Sequence, residues 1–159
     1  MKKKLYIETT VVSYYTGRPS RDIVISARQE ETRGLWPSLL EDYDTCISAL
    51  VYEEAKAGDS EAAQKRLEAI EPFPVLDVDE EAYNLAQTII KEQAIPAEYP
   101  EDALHIALAA TNGIDLIVTW NFAHINNPFK RMMIRQIVEN SGYICPEICS
   151  PEELMEARE

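Results

Sequence analysis

The sequence predicts an α/β fold with a central, mostly parallel sheet of four or five short strands and helices on both faces. Short apolar runs, which are typical of buried strands, alternate along the chain with longer segments of helical periodicity. The 159 residues are 46% hydrophobic and 27% charged, which suits one compact domain with a buried core. We expect residues 1–150 to form this domain and residues 151–159 to form an acidic C-terminal tail with a frayed helix.

The predicted strands are short. Lys4–Ile7 is mainly apolar and contains a β-branched residue. Leu116–Val118 is a continuous apolar run of the kind that lies buried in a parallel sheet. The other three predicted strands are residues 45–47, 73–76 and 143–144.

The predicted helices lie between these strands and begin at recognisable caps. Thr9 and Thr10 are candidate caps for a helical turn, and Ser48 and Asp79 are good N-caps for two further helices. The predicted helices cover residues 11–15, 20–41 with an interruption at Gly34 and Pro37, 49–56, 60–70, a segment after Asp79, 101–112 and 131–140.

The charge of the chain restricts how it can bind nucleic acid. Its net charge is −13 at pH 7, whereas proteins that hold phosphate backbones usually present a basic face. A bound divalent cation reverses the local sign, because it is then the largest charge in its site. The charge therefore argues against a free-standing RNA-binding protein and remains compatible with a metal-dependent nuclease.

The cysteines and the N-terminal residues favour the cytoplasm. Cys46, Cys145 and Cys149 are an odd number, so they cannot form a complete set of internal disulfides. The basic start of the chain is followed by Glu8, where the apolar part of an export signal should continue. No apolar run reaches the roughly 20 residues that span a bilayer. We expect a cytoplasmic protein with no membrane association and with ordinary buried thiols.

Oxygen-bearing side chains follow the predicted strands. Glu8 comes directly after the first strand, Glu53 and Glu54 lie in the helix after the second, and Asn121 comes shortly after Leu116–Val118. Because ligands bind at the carboxyl ends of parallel strands, we expect these side chains to converge at one edge of the sheet.

Asp102 joins this group from the start of the helix that precedes Leu116–Val118. Carboxylate and amide oxygens are the ligands that Mg²⁺ prefers, and a bound ion both activates water and neutralises charge on a phosphate. Each carboxylate also has a structural interpretation. Glu8 and Asp102 can act as favourable charges at helix N-termini, and Glu53 and Glu54 can form a solvated helix face.

Other residues near the predicted site also have two interpretations. His105 and His124 are candidates for proton transfer or substrate contact, but we favour structural roles for both. Trp120 either stacks on an RNA base or packs within its loop. Four arginines in the first third of the chain either contact RNA phosphates or belong to a mixed-charge helix surface. They are Arg18, Arg21, Arg28 and Arg33.

Four segments together resemble the motifs of one nuclease family. Over roughly the first 127 residues, the chain is similar to PIN-domain proteins, and in particular to the VapC toxins of prokaryotic type II toxin–antitoxin pairs. The segments are, in order, residues 4–10 (KLYIETT), 48–55 (SALVYEEA), 102–107 (DALHIA) and 116–121 (LIVTWN).

This resemblance implies a single PIN-like domain that acts as an endoribonuclease with Mg²⁺ or Mn²⁺. It also implies a homodimer and a small antitoxin protein as a partner. Carried over residue by residue, it implies that Glu8, Glu54, Asp102 and Asn121 are the metal-binding positions and that Thr119 orients the site. These five residues are the expected catalytic set.

Within the second segment, the spacing of six positions after Ser48 selects Glu54 over Glu53. Two positions depart from the usual pattern of the family. Glu8 stands where aspartate is usual, and Asn121 stands where aspartate is frequent. Because an amide adds no charge, we expect a weaker site for a second metal.

The sequence is also compatible with two competing functions. The departures at Glu8 and Asn121 motivate a PIN-like scaffold that binds RNA or protein without cleaving RNA. A metal-dependent phosphatase acting on small phosphate esters is the other alternative.

Overall fold

The computed structural model describes residues 1–157 and contains one five-stranded sheet. The strands lie in the order β3-β2-β1-β4-β5, and every neighbouring pair is parallel. The predicted α/β class is therefore confirmed, with a fully parallel sheet. The strands are β1 (Lys4–Ile7), β2 (Asp44–Ser48), β3 (Val75–Leu76), β4 (Leu116–Val118) and β5 (Glu147–Cys149).

The helices connect these strands and form two packed groups. α1 contacts α2, α3 and α4, whereas α5 contacts α6 and α7. Right-handed crossovers explain the grouping, because the chain moves towards one edge through β2 and β3 and towards the other through β4 and β5. The helices are α1 (Thr9–Thr16), α2 (Ile23–Glu41), α3 (Ala49–Ala55), α4 (Ser60–Ile70), α5 (Glu80–Lys91), α6 (Pro100–Thr111), α7 (Pro128–Asn140) and α8 (Pro151–Glu156).

β1 and β4 are neighbours in the sheet and mark the point where the strand order changes direction. From β1 the chain proceeds outward through β2 and β3, and it then returns to the other side of β1 to form β4 and β5. Ile7 pairs with Val118, so the residues that follow the two strands, Glu8 and Thr119, emerge side by side. The N–H of Glu8 donates to the carbonyl oxygen of Val118 at 3.1 Å and extends this pairing beyond the strand. Such a reversal leaves a crevice at the carboxyl ends of the strands, which is where ligands bind in open parallel sheets.

The core is built around β1 and α6. Leu5, Tyr6 and Ile7 are all fully buried, as expected for the middle strand of a sheet covered on both faces. All eight residues from 103 to 110 of α6 are buried as well. Four of these eight are alanines, whose small side chains let neighbouring elements approach closely. α6 therefore lies deep in the domain and has its first turn near the crevice.

Several details of the structure differ from the sequence prediction. α1 begins at Thr9, and the side chain of Glu8 is its N-cap in place of Thr9 or Thr10. The strand predicted at residues 73–76 is shorter, at Val75–Leu76. The last strand is Glu147–Cys149 and not residues 143–144, because Ile144 is 88% exposed and Tyr143 donates its hydroxyl to Glu81 at the surface.

The predicted interruption of α2 is also absent. The helix runs through Gly34 and Pro37 to Glu41, although proline removes one helical hydrogen bond. Trp36 explains the continuity, because it is buried and stacks on Tyr15 with ring centroids 3.9 Å apart. Tertiary packing on both sides of Pro37 outweighs the local preference.

The segment predicted as an acidic tail includes the short helix α8. Ser150 caps α8 and forms a reciprocal capping box with Glu153, and Leu154 is buried. α8 packs against α2. Residues 158 and 159 lie outside the described residues. Within residues 1–157, no helix combines the length and the apolar composition needed to cross a bilayer.

Candidate active site

A cavity of about 670 Å³ lies beyond the carboxyl ends of β1 and β4. Four of the five predicted site residues line it: Glu8, Glu54, Asp102 and Asn121. The fifth, Thr119, is fully buried behind Glu8. The fold thus brings together residues that are more than 100 positions apart in the sequence, although their chemical roles remain predictions.

Glu8 is fixed by hydroxyl groups from both sides of the crevice. Its Oε1 accepts a hydrogen bond from Thr119 Oγ1 at 2.6 Å and another from Thr10 Oγ1. Its Oε2 accepts the backbone N–H of Thr10 at 3.1 Å, which is the cap of α1. Because Oε2 accepts no other hydrogen bond within residues 1–157, it keeps a lone pair for a further ligand.

Glu54 reaches the same cavity from α3. Its Oε1 accepts hydrogen bonds from Thr9 Oγ1 at 2.6 Å and from His105 Nε2 at 2.7 Å. Its Oε2 makes no hydrogen bond to any described residue. The neighbouring Glu53 does not line the cavity and pairs with Lys56 on the exposed surface at 3.4 Å. Of the two adjacent glutamates, Glu54 therefore lines the cavity and Glu53 does not. Glu54 is the one that the spacing after Ser48 selects.

His105 links Glu54 to the core. It is 1% exposed, and its Nδ1 hydrogen-bonds with the hydroxyl of Tyr6 at 2.7 Å, which in turn bonds with Ser48 Oγ at 2.7 Å. The ring is thus held between a fixed phenol and Glu54. It packs structurally, as predicted, but it also orients a site carboxylate. The sequence places His105 one turn after Asp102, but it cannot show that α6 crosses beside α3.

The surroundings of His105 and Glu54 favour opposite charges on the two side chains. Burial lowers the pKa of His105, but the hydrogen bond to Glu54 and the charges of Glu8, Glu54 and Asp102 raise it above its usual value. Burial raises the pKa of Glu54, but the hydrogen bond and charge of His105 and the hydrogen bond from Thr9 hold it below its usual value. Both directions favour an imidazolium next to a carboxylate.

Asp102 lies in the first turn of α6 and contacts the loop after β4. His124 Nδ1 donates to its Oδ2 at 3.1 Å, and the side chain of Asn121 lies close enough to lower the pKa of this carboxyl. The amide oxygen of Asn121 accepts the backbone N–H of His124 at 3.1 Å. Burial raises the pKa of Asp102, and Asn121, His105 and His124 only partly offset the increase. A cation at this position would relieve the cost of a buried negative charge.

Trp120 packs within the protein. It is 5% exposed, and its indole N–H donates to Thr32 Oγ1 at 2.8 Å. Its backbone N–H donates to Thr10 Oγ1 at 2.9 Å, which ties the loop after β4 to α1. The packing interpretation therefore fits this residue better than base stacking does.

The donor set fits a hard divalent cation that keeps part of its water shell. Among residues 1–157, no three acidic, histidine or cysteine side chains converge closely enough to form a ready-made metal cage. The cavity nevertheless presents three carboxylates and the amide of Asn121, with unused lone pairs on Glu8 Oε2 and Glu54 Oε2. The other amide of the lining, Gln29, is bonded to the loop that carries Arg18. Mg²⁺ usually keeps several waters and binds through one or two carboxylates together with substrate phosphates, and not through an all-protein cage.

The chain belongs to the PIN domain family, whose model matches residues 5–127. Members of this family are generally nucleases and typically use divalent metal ions. Among solved structures, the chain is similar to one in the crystal structure of VapBC2 from Rickettsia felis bound to a DNA fragment from their promoter. The TM-score is 0.58 at 14% identity, and the match covers 92% of this chain and 98% of the other. This likeness is one of fold. Among curated proteins, none matches the sequence.

Proposed function

We propose that this protein is a metal-dependent endoribonuclease that hydrolyses RNA phosphodiester bonds. The observation that carries the proposal is the convergence of Glu8, Glu54 and Asp102, from three distant segments, on one open cavity at the switch point of the sheet. In this proposal the three carboxylates bind Mg²⁺ or Mn²⁺. Asn121 holds the fourth position, and Thr119 orients Glu8.

When bound, the metal lowers the pKa of a coordinated water and neutralises negative charge on the phosphate. The chain's own residues supply position. Thr10 and Thr119 fix Glu8, Thr9 and His105 fix Glu54, and His124 holds Asp102. The free Oε2 of Glu54 would be available to the metal or to the attacking water. No covalent intermediate is needed, so hydrolysis proceeds by direct attack of water.

We also propose that the protein is the toxin of a toxin–antitoxin pair with a small antitoxin partner. The similarity of its fold to a chain of a VapBC2 complex supports this assignment. A cytoplasmic location is part of the proposal, and the three buried free cysteines suit a reducing compartment.

A homodimer also belongs to this proposal. Phe129 and Met132, about one turn apart on α7, are 79% and 71% exposed. Exposed apolar side chains grouped in this way are typical of protein interfaces. Light scattering coupled to size-exclusion chromatography should give twice the mass of the chain, and Phe129→Glu should reduce it to one. A monomeric wild-type protein would contradict the dimer.

The test of the nuclease proposal is cleavage of a mixed structured-RNA pool in Mg²⁺, Mn²⁺ or EDTA. We expect metal-dependent cuts that are lost in Asp102→Ala and retained in Glu101→Ala. Glu101 is the matched control because it precedes Asp102 on α6, is exposed and does not line the cavity. Cuts that survive Asp102→Ala would contradict the proposed site.

Assays on the same purified protein distinguish the nuclease from an inactive scaffold and from a phosphatase. Metal binding without cleavage of any RNA in the pool would favour an inactive scaffold. Turnover of a chromogenic phosphate monoester without RNA cleavage would favour a phosphatase.

A further inference from the structure

Arg18 lies at the boundary between two cavities. It lines the acidic cavity described above, where it is the one basic residue among the described residues of the lining. It also lines a second cavity of about 520 Å³, where Lys65 and Arg66 of α4 add two further cations beside two carboxylates, Asp59 and Glu61. The two cavities therefore adjoin at Arg18, and the surface changes there from acidic to partly basic.

The loop that carries Arg18 is held in place by a buried glutamine. Gln29 is 4% exposed; its Nε2 donates to the carbonyl oxygen of Arg18 at 2.9 Å, and its Oε1 accepts the N–H of Ser20 at 3.0 Å. Gly17 makes this clamp possible, because a Cβ there would lie 2.9 Å from Ser13 O and 3.3 Å from Gln29 Nε2. The backbone at Arg18 is thus held by the fold, and its exposed side chain extends from a fixed loop.

The charges of Arg18 and Lys65 are available to a ligand. Within residues 1–157, neither side chain forms an ion pair or donates a hydrogen bond, and both residues are exposed. Arg66 differs, because its guanidinium donates to the carbonyl oxygens of Ala55 at 2.9 Å and Ala57 at 2.6 Å. Arg66 therefore binds the backbone at the end of α3. Arg18 and Lys65 are the two cations, among the described residues lining the two cavities, that remain available to a ligand.

We propose that Arg18 binds a non-scissile phosphate of the RNA strand and that the strand continues past it into the second cavity, where Lys65 contacts a further phosphate. The inference rests on the proposed function, because it needs an RNA strand in the acidic cavity. Arginine and lysine contacts to phosphates position a nucleic acid without reading its sequence. A protein of net charge −13 needs such local contacts to hold a polyanion.

The test measures binding of a fluorescein-labelled, single-stranded 12-nucleotide RNA to the full chain by anisotropy in CaCl₂, with a gel to verify that the RNA stays intact. We expect Arg18→Ala to raise the Kd about tenfold and Lys65→Ala about threefold. Each should flatten the slope of log K against log salt by roughly 0.7, the value for one phosphate contact on a single strand. Arg21→Ala is the matched control, since Arg21 is exposed on the same loop and lines neither cavity.

Gln29 provides an independent check on the fixed loop. Gln29→Leu should weaken RNA binding as Arg18→Ala does, and the double variant should be no weaker than Arg18→Ala alone, because both changes remove the same contact. Thermal unfolding verifies that each variant is folded. The exposed Arg18 and Lys65 variants decide the question if Gln29→Leu does not fold.

The outcomes separate this inference from the nuclease proposal. RNA cleavage by wild-type protein with an unchanged KM and an unchanged salt slope in Arg18→Ala would overturn the phosphate subsite alone. Binding that depends on Arg18, without cleavage in any metal, would support the subsite and count against the nuclease. No binding of the oligonucleotide, or equal effects of Arg18→Ala and Arg21→Ala, would overturn the subsite.

Discussion

At the scale of single residues, each carboxylate of the site is held by donors from another part of the chain. Glu8 depends on Thr10 and Thr119, and Glu54 depends on Thr9 and His105. Such outer contacts fix the orientation of a ligand before the metal arrives, so their loss weakens metal binding even though they do not touch the ion.

His105 is the residue on which this argument can be tested. We expect His105→Gln to weaken Mn²⁺ binding by about 10- to 100-fold, the usual effect of losing an outer-shell partner. Isothermal titration calorimetry measures the change without any RNA. A variant that keeps its fold by circular dichroism and binds Mn²⁺ as tightly as the wild type would contradict the role of His105 in orienting Glu54.

A second prediction at this scale concerns the thiols. Burial raises the pKa of Cys46 and Cys149 to about 12 and that of Cys145 to about 11. Because only the thiolate reacts, very little of each thiol is reactive at pH 8 while the protein is folded. We expect Ellman's reagent to label the three cysteines slowly in buffer and rapidly in denaturant. Fast labelling of the native protein would contradict their burial.

At the scale of elements, a strand or helix could be predicted from the sequence where the local residue pattern and the tertiary packing favour the same structure. β1 and β4 have the predicted bounds, since apolar runs next to polar side chains mark buried parallel strands. The interruption at Pro37 was wrong, because the packing of Trp36 is not visible in the local sequence. The convergence of the site residues could be predicted from strand ends, whereas the bond between His105 and Glu54 depends on how two helices cross.

α8 is the element whose place in the domain is most directly testable. Leu154 is 6% exposed on a capped helix that packs against α2. We expect Leu154→Ala to lower the free energy of unfolding by about 2–4 kcal/mol, as truncation of a buried leucine does. Glu152→Ala, on the same helix and exposed, should change it by less than about 0.5 kcal/mol. Equal, small effects in urea unfolding would mean that α8 is a dispensable tail.

At the scale of the whole molecule, three carboxylates of an acidic protein line one cavity. The charge on Asp102 is the costly one, because burial raises the pKa of this carboxyl and the nearby histidines only partly offset the increase. A cation that binds only the folded state stabilises it by mass action. The proposed metal therefore links the stability of the fold to the chemistry of the site.

The proposed metal site can be tested by measuring RNA cleavage in Mn²⁺ by two single variants of adjacent residues, Glu54→Ala and Glu53→Ala. Both remove one glutamate from α3, but only Glu54 lines the cavity and bonds to His105. We predict that Glu54→Ala lowers the cleavage rate by at least about 100-fold, the upper end of the effect of losing an outer-shell partner, because Glu54 is itself a proposed ligand. Glu53→Ala should leave the rate within about twofold of wild type. Equal rates for the two variants, or a larger loss in Glu53→Ala, would contradict a metal site built on Glu8, Glu54 and Asp102.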